Sequence, residues 1–148
     1  MEVKKKVFDW AEVLASGARS ITGAGSAARL AEPSQVLNGV AFQVDLTAAA
    51  TGATDTLDLY IETMMDGVNW NRIAHFTQMV GNGGAKRFVI VVPVLASLVT
   101  LGQQNEEADA LDEGAVRSMF GDQYRASWEI ADISGLAEFT FSVKALVF

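Results

Sequence analysis

The stretch Leu57–Phe76, LDLYIETMMDGVNWNRIAHF, sets the dipeptide Asp66-Gly67 between two half-apolar runs. Leu57, Leu59 and Ile61 recur at every second position, the period of a strand with one buried face. Asp-Gly suits the positive φ of a type I′ turn, so the stretch predicts a β-hairpin. The return strand is Asn69–Thr77, and regular pairing puts Trp70, Ala74 and Phe76 on one face, where Trp70 either plugs the core, the leading placement, or anchors an interface.

The same alternation recurs on both sides of the hairpin. Val40, Phe42, Val44 and Leu46 form one set, Tyr124, Ala126, Trp128 and Ile130 a second, and Phe139, Phe141, Val143, Ala145 and Val147 a third. Lys86–Val94, β-branched and short, reads as a strand buried on both faces that ends at Pro93 or lies on an edge. Glycine-bearing connectors separate these runs, and the glycines of Val80–Ala85 permit a tight or mobile loop. Short strands with turn signals between them predict an all-β, antiparallel β-sandwich of immunoglobulin/fibronectin-like or jelly-roll-like style over residues 36–148. Residues 1–35, rich in small residues, read as an N-terminal arm. Ala108, Leu111, Ala115 and Met119 recur at helical spacing, which predicts a short helical or irregular excursion between strands.

A chain of 148 residues is most simply one domain and is long enough to bury a core without staples. It has no cysteine, so disulfides, thiolate metal sites and cysteine nucleophiles are excluded. Eleven basic against eighteen acidic residues give a net charge of −7, which argues against nucleic acid as a partner. The longest apolar run, Phe88–Ala96, is nine residues and contains Pro93, far short of the roughly 18 a membrane-spanning helix needs. Asp9 and Glu12 interrupt what would be the apolar part of a signal peptide. Half the residues are apolar and only 20% are charged, so some apolar surface is expected to meet a partner.

Catalytic candidates are few. The one histidine, His75, lies inside a strand, with no serine and carboxylate set out around it as a triad needs. Asp58 and Glu62 share the outward face of their strand and read as solvated charges. The acidic run Asn105–Glu113 lacks the regular ligand spacing of a calcium loop. No cofactor, no metal and no enzymatic activity are expected. The candidate site is instead an interface: Val7, Phe8, Trp10, Val13 and Leu14 of the arm are apolar anchors with no strong periodicity, and Trp70 is a favoured hot-spot residue wherever it projects.

Residues 44–91 and 124–146 together resemble the small β-sandwich virion proteins of tailed bacteriophages. The resemblance rests on DLTAA at 45–49, a strand leading to D-G-x-N-W at 66–70, and a closing F-T-F-S-V at 139–143. It implies a non-enzymatic structural protein of the virion, assembled in the bacterial host cytoplasm. The leading form is a capsid decoration or cement protein that self-associates and binds the major capsid protein on the outer lattice. A tail-tube or head-to-tail connector subunit and a carbohydrate-binding module are the alternatives.

Overall fold

The computed structural model describes residues 10–29, 38–94 and 111–148. The described residues are all-β and contain no helix. The strands are β1 (Ala11–Arg19), β2 (Gly23–Ala24), β3 (Gly39–Ala48), β4 (Thr56–Met64), β5 (Trp70–His75), β6 (Met79–Val80), β7 (Lys86–Pro93), β8 (Gln123–Ala131) and β9 (Phe139–Val147). They form two antiparallel sheets. One is four-stranded in the order β1-β9-β3-β7; the other is five-stranded, β2-β8-β4-β5, with β6 beside β4.

The alternating positions explain how the sheets meet. Phe42, Val44 and Leu46 of β3 and Phe139, Phe141 and Val143 of β9 face Leu57, Leu59 and Ile61 of β4 and Ala126 and Trp128 of β8 in one buried cluster. Two aromatic pairs cross between the sheets. Trp128 meets Phe141 edge-on at 5.5 Å and Tyr124 meets Phe42 at 6.1 Å, geometries that ring quadrupoles favour. Burial pushes the Tyr124 phenol up to about 12.

The N-terminal region is part of this body. β1 pairs with β9 and β2 with β8, so residues 10–29 contribute one strand to each sheet, and Ala28 bridges to Tyr124. A boundary near residue 35 therefore does not separate an arm from the sandwich. Val13 and Leu14 are only 7% and 8% exposed because they cover the open side of the apolar layer. Arg19 closes the end of β1: its guanidinium donates to the carbonyls of Ala15, Gly17 and Phe141 and lies over the rings of Trp128 and Phe141 at 4.9 and 4.6 Å.

The hairpin forms as expected, with a different turn and a different register. Its loop runs Met65–Asn69, Gly67 takes φ +79°, and the Asp66 carboxylate accepts from the amides of Val68 and Asn69 and from the Asn69 side chain. An aspartate closing a loop on its own backbone is a side-chain mimic of a turn. Those bonds hold the Asp66 carboxyl down at about 2. In β5 the pairing passes from Ile61↔Ala74 to Glu62↔Arg72, so Ile73 is an extra residue, a β-bulge. Ile73 and Phe76 stay in the core, while Trp70, before the bulge, is turned to the outer face. Of the two placements open to Trp70, the leading one, in the core, fails for that reason.

The spacing that predicts a helix near residues 108–119 does not produce one over its described part. Gly114 has φ +75°, and Leu111–Arg117 runs beside β5 instead. The Gly114 amide donates to the His75 carbonyl, His75 to Ala115, and Arg117 to Ile73. The glycine-rich connector is tight: a Cβ on Gly81 would stand 1.8 Å from the Gly52 carbonyl oxygen, so no other residue fits. Asp55 locks the adjoining loop by accepting from the amides of Ile133 and Ser134 and from the Ser134 hydroxyl, which lowers its pKa.

Leu14→Ala should lower unfolding stability by about 2–5 kcal/mol in urea titrations, and deletion of residues 1–15 should be more damaging still, because both open the core. A truncated protein with an unchanged transition would return β1 to the status of an arm. The Asp66 carboxyl has its folded pKa below its unfolded value of 3.8, so its stabilisation is present above that pH and lost as pH falls through about 2. Asp66→Asn should therefore be less stable than the parent at neutral pH, with the two unfolding curves converging as pH drops across that window.

Candidate interaction surface

The expected interface residues do not form one surface. Val7 and Phe8 lie outside the described residues. Val13 and Leu14 are buried in the chain's own core, because β1 is a strand of the sandwich; this corrects their reading as free anchors. Trp10 stands 40% exposed beside the outer face of the four-stranded sheet. Trp70 is half-buried on the outer face of the other sheet, with the Arg125 guanidinium 4.4 Å above its ring.

That second face is a charged lattice built by register. Glu62 of β4 pairs across to Arg72 on β5 and to Arg125 on β8. Its carboxylate accepts from Arg125 at 2.5 Å and lies 3.9 Å from Arg72, which also donates to Glu129 at 2.8 Å. Glu62 is 5% exposed, so it is not the solvated charge its strand position suggested. Arg72 also covers the Tyr60 ring at 3.6 Å, and His75 stacks on Tyr60 at 4.2 Å. His75 is buried, with Nε2 3.1 Å from Asp58 Oδ1 and Nδ1 2.9 Å from the Leu111 carbonyl. Both neighbours are acceptors, so the ring serves to tie the Leu111–Arg117 segment onto the sheet.

The face of the four-stranded sheet is built differently. Val89 and Val91 of β7 are 56% and 44% exposed, and Val94 just beyond the strand 36%. Val91 lies opposite Ala41 on β3, which lies opposite Leu146 on β9, so an apolar row crosses three strands. The reading of Lys86–Val94 as buried on both faces is therefore wrong for one face; the flanking Lys86, Arg87 and Pro93 are the signs of an edge strand that argued the other way.

The free edges also differ. β2 is two residues long, β1 carries two register shifts, and β5 is covered by Gly114–Arg117. β7 runs regularly over Gly39↔Pro93 to Leu46↔Lys86 against β3, and among the described residues no strand pairs with its other side. A long, regular, apolar edge is a template for another chain. The fold and this surface together define an antiparallel two-sheet β-protein in which, among the described residues, β7 is the long, regular edge, its Pro93 carbonyl accepting from the Ser118 hydroxyl. Comparison with family models, with curated proteins and with solved structures returns no match.

Glu62→Ala should cost about 3 kcal/mol in chemical unfolding, since it takes away the carboxylate to which the largely buried Arg125 guanidinium donates and the negative charge beside Arg72, whereas Asp122→Ala, which breaks the exposed pair with Arg29, should change stability by less than about 1 kcal/mol. Equal effects would show that the lattice is solvated like the surface pair.

Proposed function

We propose that this protein is a non-enzymatic structural subunit that assembles through the β7 edge and the valine row beside it. The single observation that carries the reading is β7 itself: eight residues in regular register, outward Val89 and Val91 exposed, and no strand beside it among the described residues. Resemblance of the sequence to small β-sandwich virion proteins of tailed phages supports the particular form, a capsid decoration protein that meets itself and the outer capsid lattice. The acidic net charge of −7 suits a partner recognised by apolar contact and not by a phosphate backbone.

Self-pairing of β7 has a preferred direction. Two copies in antiparallel register about Ile90 bring Val89 of one against Val91 of the other and set Arg87 opposite Pro93. Parallel pairing in register instead sets Lys86 and Arg87 against their own copies, which like-charge repulsion disfavours. The antiparallel arrangement extends a four-stranded sheet into a continuous one of twice the width.

Light scattering on the purified protein should show an oligomer, or a monomer that adds to shells of its capsid protein. Val89→Lys with Val91→Lys should abolish that association while leaving the unfolding transition within about 0.5 kcal/mol, because both side chains are exposed. A wild-type chain that stays monomeric and ignores such shells would overturn the proposal.

A further inference from the structure

The polar end of the same sheet face carries a separate feature. Gln43 and Asp45 of β3, Ser142 and Lys144 of β9, Arg87 of β7 and Trp10 line a groove of about 230 Å³. Register places these side chains in two adjacent rows: Arg87, Asp45 and Ser142 stand side by side, and Gln43 stands between Lys144 and the exposed Val89. Backbone ladders hold their strands roughly 4.8 Å apart, so the donors and acceptors form a rigid grid. Arg87 donates to Asp45 at 3.1 Å, which orients the carboxylate within it. Trp10 precedes β1, lines the groove and is 40% exposed as a residue, outside the core cluster.

We infer that this groove binds a single pyranose ring of a glycan. A sugar presents an apolar C–H face, which suits the flat, apolar face of an indole, and a rim of hydroxyls that both donate and accept. The grid answers that rim with acceptors on Asp45, donors on Arg87 and Lys144, and groups of both kinds on Gln43 and Ser142. The volume is below the roughly 300–1,000 Å³ of sites for drug-sized ligands, which fits one ring. A phosphate ligand is disfavoured by the Asp45 carboxylate in the row that lines the groove. The groove adjoins the β7 edge, taking Arg87 from that strand and meeting Val89 beside Gln43, but every residue that lines it comes from one chain, so the inference does not rest on the assembly reading.

The test is a nuclear magnetic resonance titration of the intact ¹⁵N-labelled protein with glucose, galactose, mannose, N-acetylglucosamine and glucuronate, each to about 50 mM, a range that captures millimolar affinities. The expected result is a saturable shift of the Trp10 indole N–H with at least one of these sugars, and at least a tenfold loss of affinity in Trp10→Ala. Asp45→Ala, a surface change, should show the same loss and guards against misfolding of the tryptophan variant. Shifts with none of the sugars, shifts confined to Trp70 or Trp128, or full affinity in both folded variants would each overturn the assignment.

Discussion

Everything in this protein depends on one shared apolar layer between two antiparallel sheets. The layer is one side chain deep from each sheet, so every second residue of β3, β4, β8 and β9 must be apolar and must point the same way. The crossing pairs Trp128–Phe141 and Phe42–Tyr124 occupy most of its thickness. β1 is recruited because the layer has an open side that Val13 and Leu14 cover, and Arg19 then shields the rings at that end while its donors satisfy three carbonyls. The β5 bulge answers the same demand, since Ile73 and Phe76 both belong to the layer and regular alternation from one would turn the other out.

What the layer leaves over are two outward faces, and the chain treats them in opposite ways. One is sealed by Arg–carboxylate pairs, by rings stacked beneath guanidiniums, and by Leu111–Arg117 tied to His75 and to the β5 edge. Buried ion pairs of this kind add little net stability over apolar packing but are costly to break, so they specify arrangement. The other face carries one Arg–carboxylate pair among the described residues, Arg87–Asp45; beside it lie the polar groove with Trp10 and the exposed Val89 and Val91, along the β7 edge. For a chain that is half apolar, that asymmetry makes the open face, and not the charged lattice, the candidate surface for contacts with other molecules.

Much of the sandwich was determined by the sequence alone, because a period of two is a local property. The inward sets of β3, β8 and β9, the hairpin at Asp66-Gly67 and the edge character implied by Pro93 all follow from neighbouring residues. Tertiary structure decided what depends on the partner across the ladder. Whether Trp70 faces in or out turns on one extra residue in β5, which no periodicity of that strand announces. Whether Glu62 is solvated turns on Arg72 and Arg125, the latter 63 positions away. Val13 and Leu14 pass for free anchors until β9 is seen beside them, and Val89 and Val91 pass for core until one face of β7 is seen to be uncovered. Residue type sets which side chains must leave water; only the packing of distant strands decides which of them find room to do so.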